Sequence, residues 1–209
     1  MRTIRKGSAP ASLTQHRQQT HADYDNYHDK ATLRQALVAE QRGLCCYCQS
    51  RIRPTPEDMK IEHWQCQADH RDRQLDFGNL LGACRGNEGE PFDRQHCDTR
   101  KGNRDLCFGV CDPTRPIEPQ IRFLGDGTIK ADDAVIDDAI NSVLNLNLPR
   151  LVSNRKAVLT AFQQRLQRGR RVEPARELPQ WDGTQAGDLP EFAQVVVYWL
   201  RKRLARAAT

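Results

Sequence analysis

The spacing of the cysteines constrains this chain more than any other feature. Six of its eight cysteines fall between Gly43 and Gly102. Cys45 and Cys48 form a C-x-x-C pair, and Cys84 and Cys97 supply a second pair about 40 residues on. The opening MRTIRKGSAPAS is basic but has no apolar core of the kind a secretory signal carries, so the expected compartment is a reducing cytoplasm. Cysteines there are better explained by metal ligation than by disulfides. Four thiolates make a closed tetrahedral Zn²⁺ site, structural in kind because no ligand position stays open for water. Cys46 and Cys66 read as buried free thiols. Cys107-x3-Cys111 reads as an alternative or second half-site.

The rest of the chain frames this stretch. With 209 residues it has the length of one medium domain or of a small domain with extensions. Lys and Arg number 32 against 27 Asp and Glu, a net charge of +5, which permits a polyanionic partner without demanding one. No apolar run approaches the roughly 20 residues needed to span a bilayer, so no membrane partner is expected. Residues 1–28 are polar and aperiodic and read as an extended, partner-binding arm. Residues 29–42 are strong helix formers with a Leu33/Leu37 pair, closed by Gly43. A short strand is expected over residues 59–65, and an apolar segment over 80–84. Residues 106–130 are rich in proline and hold a Gly-Asp-Gly turn between apolar runs, the mark of a β-hairpin. Over 131–209 three helices are expected. The first covers about 132–146, with Val135, Ile136, Ala139, Ile140, Val143 and Leu144 facing inward. The second covers 149–168 and ends at Gly169. The third covers 188–206, and its VVVYWLRKRL face is apolar enough to dock on a partner. Arg165, Arg168, Arg170 and Arg171 form a basic run of the sort that is usually a solvated face.

Inside the cysteine frame lie Glu62-His63, Asn79 and Cys97-Asp98-x-x-Lys101-Gly102. A general base needs an imidazole held neutral with its second nitrogen fixed. A divalent metal at a phosphodiester takes hard oxygen ligands. Alone, a Glu-His dipeptide carries little weight; set among these partners it becomes a candidate site. The run CCYC, IEHW, GNLLGAC, HCDTRKG resembles the HNH endonuclease superfamily in its four-cysteine form. Within that superfamily it is similar to the PtuB group, the HNH components of Septu anti-phage systems, which also occur beside retrons. FLGDGTI and LNLNLPRLVSNR extend the likeness over most of the chain.

The resemblance implies an α+β, mainly α fold. Its core is a ββα-metal (His-Me finger) unit over residues 29–105, stapled by a four-cysteine zinc site and flanked by helices. It implies that His63 is the general base, Glu62 the acidic metal ligand and Asn79 the residue that braces the loop. Asp98 stands where the family usually has a metal-binding Asn, an exchange that keeps a hard oxygen. The insertion before Cys97 leaves His96, then Asn87, as other candidates for that ligand. Arg100, Lys101 and Arg104 are placed to hold the substrate backbone, or else form a solvated basic loop. The catalytic cofactor implied is Mg²⁺ or Mn²⁺, cutting DNA to a 5′-phosphate and a 3′-hydroxyl. The partners implied are an ATPase of PtuA type and, in a retron setting, the reverse transcriptase and its multicopy single-stranded DNA. An RNA-cleaving nuclease with tRNA as target, and a non-catalytic zinc module that binds nucleic acid, are the other readings.

Overall fold

The chain is α+β and mainly helical in a computed structural model that describes residues 1–168 and 173–207. Helices α1 (Ala11–Arg17) and α2 (Lys30–Glu40) precede an antiparallel pair, β1 (Met59–His63) and β2 (Leu80–Cys84). A short helix α3 (Cys97–Lys101) packs on β2. A second hairpin follows, β3 (Ile121–Phe123) and β4 (Ile129–Ala131). The remainder is helical: α4 (Ala134–Asp138), α5 (Pro149–Arg168), two single turns α6 (Pro174–Glu177) and α7 (Pro179–Asp182), and α8 (Ala193–Ala207).

Local chemistry explains the regular elements. Asp29 caps α2 by accepting from the Thr32 amide, and Gly43 closes the helix with its amide on the Val38 carbonyl. In the second hairpin Gly127 sits at φ +93°, where a Cβ would lie 2.2 Å from the Val152 carbonyl of α5, so only glycine lets the turn close against that helix. Asp133 caps α4 through the amides of Val135 and Ile136. The helix expected over 132–146 instead passes at Ala139–Val143 into a π-helical turn, with the Leu144 amide reaching back to the Ala139 carbonyl. Ile136, Ala139, Ile140 and Leu144 face the core, but Val135, expected inside, is 64% exposed beside the cap. The last helix starts at Ala193, later than expected, because Phe192 takes a left-handed φ of 54° just before it.

One apolar cluster runs from Met1 and Ile4 through the cysteine frame, both hairpins and α5 to Leu200 on α8. Val195, Val196 and Val197 are buried in the molecule itself, so most of the apolar face expected to dock on a partner is used within the fold. The expectation of an extended N-terminal arm is overturned as well. Met1, Ile4, Leu13 and Tyr27 are buried, and the Ile4 amide donates to the Val110 carbonyl. Lys6 pairs with Glu40 at 2.6 Å, donates to the Leu80 carbonyl and lies over the Phe77 ring. Four well-separated apolar residues anchor this segment, too few to give a periodic signal. Gly169 and the Arg170–Arg171 part of the basic run lie outside the described residues. No helix among the described residues is long and apolar enough to cross a membrane.

Candidate metal centre and the adjoining carboxylate–histidine site

The knuckle after α2 turns on itself through the Leu44–Arg51 bridge and presents Cys45 and Cys48. Cys84 closes β2, and Cys97 opens α3 at a left-handed φ of 55°. The four sulfurs lie within 4.8 Å of one another, with Cys45 to Cys97 at 3.9 Å and Cys48 to Cys84 at 3.7 Å. Sulfurs about 2.3 Å from a tetrahedral zinc stand about 3.8 Å apart, so the spacing fits such an ion. The Cys84 amide points at Cys45 Sγ (3.3 Å) and the Ser50 amide at Cys48 Sγ (3.5 Å), donors that stabilise thiolates. Burial opposes ionisation of Cys45, yet the neighbouring thiols that donate to it hold its pKa well below the thiol range. Among the described residues this is the one group of three or more metal-capable side chains drawn together, so Cys107 and Cys111 do not build a second centre there. Cys46 and Cys66 are buried free thiols, as expected.

His96 belongs to this centre. It is buried before α3, with Nδ1 3.2 Å from Cys97 Sγ and 4.0 Å from Cys84 Sγ. Gly86 makes this approach possible, since a Cβ there would strike the His96 carbonyl at 2.1 Å. As a candidate ligand beside Glu62, His96 therefore faces the thiolates instead. Asn87 closes the inserted loop, its Nδ2 donating to the Arg94 carbonyl (2.7 Å).

A buried lateral staple hangs β2 from α2. Gln41 Nε2 donates to the carbonyls of Leu44 (2.8 Å) and Gly82 (2.7 Å), and its Oε1 accepts from the Gly82 amide (2.6 Å). This fixes the hairpin that carries the candidate site. Alternation along β1 turns Lys60 and Glu62 toward α3 and Ile61 and His63 the other way. On α3, Asp98 and Lys101 are three residues apart and share a face. Lys60 pairs with Asp98 (3.3 Å), and Lys101 pairs with Glu62 (3.0 Å), the second pair almost wholly out of water. Tyr47, between two cysteines of the knuckle, donates its hydroxyl to Glu62 Oε1 at 2.7 Å. The Asp98 carboxyl is close enough for its charge to act on Glu62. Burial, then the Asp98 charge, push the Glu62 carboxyl well above the usual range, against the opposing pull of Lys101 and Tyr47. When ionised, these two carboxyls would offer hard oxygen ligands to a divalent cation, which would take the place of the lysine ammoniums that hold them now.

His63 stands on the other side of the strand. Its Nε2 lies 3.0 Å from the Gln74 carbonyl. A carbonyl only accepts, so in the neutral ring Nε2 holds the hydrogen and Nδ1 keeps the lone pair. Burial lowers its pKa below 6.5, outweighing the Gln74 bond and the Asp98 charge. The edge of one ring meets the face of the other where Tyr24 packs on the imidazole, with centroids 4.5 Å apart, and His63 is only 9% exposed. The loop that supplies Gln74 is held by Asn79, which is fully buried. Asn79 Nδ2 donates to the carbonyls of Gln65 (3.0 Å) and Arg73 (3.2 Å), and its Oδ1 accepts from the Gln65 amide (2.8 Å).

The structure thus puts Glu62 and Asp98 on the α3 side of β1 with their lysine partners, sets His63 on the opposite side of the strand, and leaves His96 and Asn87 elsewhere. The basic cluster divides. Lys101 is 1% exposed and also donates to the His63 carbonyl (3.1 Å), so it holds the strand end. Arg100 stacks on Phe92 at 3.7 Å, and Arg104 donates to the carbonyls of Ser142 (3.2 Å) and Val143 (3.1 Å) at the end of the π turn. Sequence reasoning misses Tyr47, Lys60, Gln74 and Tyr24. Tyr47 and Lys60 carry a usable signal, Tyr47 at the centre of the cysteine knuckle and Lys60 in phase with Glu62. No protein-family model matches this chain, and no curated protein matches it either.

Proposed function

We propose that the chain is a metal-dependent HNH endonuclease whose ββα-metal core is β1, β2 and α3. One observation carries this reading: consecutive residues of one strand present a histidine of fixed tautomer and a carboxyl group held by Lys101 of the following helix, under the charge of Asp98 on that helix. His63 Nδ1 takes the proton of the attacking water. Gln74 and the Asp98 charge favour the imidazolium as it forms. Asn79 keeps the Gln74 carbonyl in place, and Lys101 with Tyr47 fixes the Glu62 carboxylate. A Mg²⁺ or Mn²⁺ ion on Glu62 and Asp98 supplies, when bound, positive charge for the scissile phosphate and the leaving oxygen. The zinc centre has a structural role, and the outer edges of Arg100 and Arg104 contact the nucleic-acid backbone.

The sequence resemblance supports a wider setting, an effector nuclease of an anti-phage complex held by an ATPase of PtuA type. A non-catalytic zinc module that binds nucleic acid is the second reading, favoured by the cover of Tyr24 over His63. The deciding experiment offers DNA and tRNA to the zinc-loaded protein, alone and with an ATPase encoded beside it, with and without added Mg²⁺. Cleavage that needs Mg²⁺ and is lost in His63→Ala, with zinc content unchanged, is expected. Full activity in His63→Ala sinks the assignment of the base.

A further inference from the structure

We infer that the cavities beside Trp64 form a subsite for an unpaired nucleobase, so that the strand is single, looped or flipped where it is cut. The choice of ligand rests on the nuclease reading, while the observations are separate from it. Trp64 leaves β1 directly after His63. Its amide donates to the Asn79 carbonyl (2.9 Å) and its Nε1 to the Phe108 carbonyl (2.8 Å), so backbone and ring are both fixed. Gly109 lies along the ring, with a Cβ there only 3.4 Å from Cζ2. Trp64, Gly109 and Asp112 together line two cavities, one of about 260 Å³ that reaches Arg73 and Gly78, and one of about 150 Å³ that reaches Arg115. Arg73 and Gly78 belong to the loop whose Gln74 holds His63, so the larger cavity and the base share one frame.

The lining matches the parts of a nucleotide. The indole offers an apolar wall for a base, since every base has a π face. Asp112 uses Oδ1 for the amides of Thr114 and Arg115, and its Oδ2 makes no hydrogen bond among the described residues. It can accept from the N–H edge of a base. The Arg115 guanidinium has no ion-pair partner among the described residues and can meet a phosphate. The larger cavity falls below the ~300–1,000 Å³ of sites for drug-sized ligands, so it suits a ring more than a whole nucleotide. A base inside a continuous duplex has both faces covered and reaches such a wall only by leaving the stack.

The test uses His63→Ala, to stop cleavage, with Trp181→Phe and Trp199→Phe, so that Trp64 is the one remaining indole of three. A single-stranded oligonucleotide and the blunt duplex of the same sequence are titrated at one salt concentration. Saturable quenching of Trp64 by the single strand is expected, with binding at least about tenfold tighter than to the duplex, in line with the loss of one base–aromatic stack. Asp112→Asn changes the ranking of the four homopolymers. Binding without quenching, or equal binding and quenching by duplex, overturns the subsite. Where the three-substitution protein does not fold, Cys111→Phe, which fills the larger cavity, is tested in the His63→Ala protein by anisotropy of a labelled single strand. A tenfold loss supports the subsite and unchanged affinity overturns it. Cleavage by the wild-type protein is scored separately. Cleavage without Trp64 quenching removes the subsite alone, and quenching without cleavage removes the nuclease reading alone.

Discussion

Lys101→Met breaks the buried ion pair that ties β1 to α3. The Lys101–Glu62 pair is 3.0 Å long and its side chains are 1% and 2% exposed. At an effective dielectric near 20, two unit charges at that distance attract by about 5 kcal/mol. Removing the ammonium also removes a charged hydrogen bond to the His63 carbonyl, roughly 1.5–3 kcal/mol. Against these losses stand the desolvation of Lys101, which the methionine avoids, and the ease with which the buried Glu62 takes up a proton. Breaking one side of a buried pair typically costs about 3–5 kcal/mol, and the expected value lies in that range. For a chain of this size that lowers the melting temperature by roughly 6–20 °C. Urea unfolding in zinc-replete buffer measures it. The paired variant Lys101→Met/Glu62→Gln removes both charges and should recover at least about 1 kcal/mol relative to the sum of the single changes. A single-variant loss under about 1 kcal/mol, or strict additivity, refutes the claim that this pair holds the hairpin to α3.

Other outcomes follow from the same geometry. Cys84→Ala should lower bound zinc from one ion per chain to well under one, and melt the stretch from the knuckle to α3, seen as new amide exchange there. Cleavage should need neutral His63, so its rate falls as pH drops through a midpoint below 6.5, and a midpoint above about 7 counts against the burial argument. The same lowered pKa makes stability sensitive to acid. The unfolded histidine protonates first, so the stability His63 confers above pH 6.5 is lost as pH falls toward its folded pKa, a slope that His63→Gln should remove. Asn79→Ala removes three hydrogen bonds of a buried side chain and should cost about 2–4 kcal/mol, with kcat falling more than binding because the Gln74 carbonyl loses its brace.

How far the sequence could be read depended on the range of the interactions involved. The cap and closing glycine of α2, the Gly-Asp-Gly hairpin and the C-x-x-C knuckle are set by neighbours within a few residues and were legible. The pairing of Cys84 and Cys97 with that knuckle was legible because thiolates in one cluster have few other uses. Glu62, His63 and Asp98 could be nominated from their types and order. What joins them could not. Lys101 read as one cation in a basic run, although its burial depends on α3 turning it inward beside Asp98. Arg155 is 1% exposed inside an otherwise polar stretch of α5, where it donates to the carbonyls of Gly127 and Leu146, and nothing local distinguishes it from its exposed neighbours. The first 28 residues looked unanchored because their buried side chains follow no period and find partners far along the chain.

The contact between Tyr24 and His63 has an energetic consequence for whatever the site acts upon. On the nuclease reading, a phosphodiester placed at His63 would have to displace the Tyr24 ring that packs on the imidazole. Apparent affinity for substrate would then be the intrinsic affinity multiplied by the fraction of molecules with the ring displaced, so a cover open in about one molecule in a hundred would weaken binding about a hundredfold. Tyr24 itself is held by its amide on Gln74 Oε1 and by the Lys30 ammonium over its ring, between the buried anchors Leu13 and Tyr27. A ligand that favoured the displaced ring would, on the same reading, raise turnover at low substrate without touching His63 itself. On that reading the first 28 residues would set how often the histidine is uncovered.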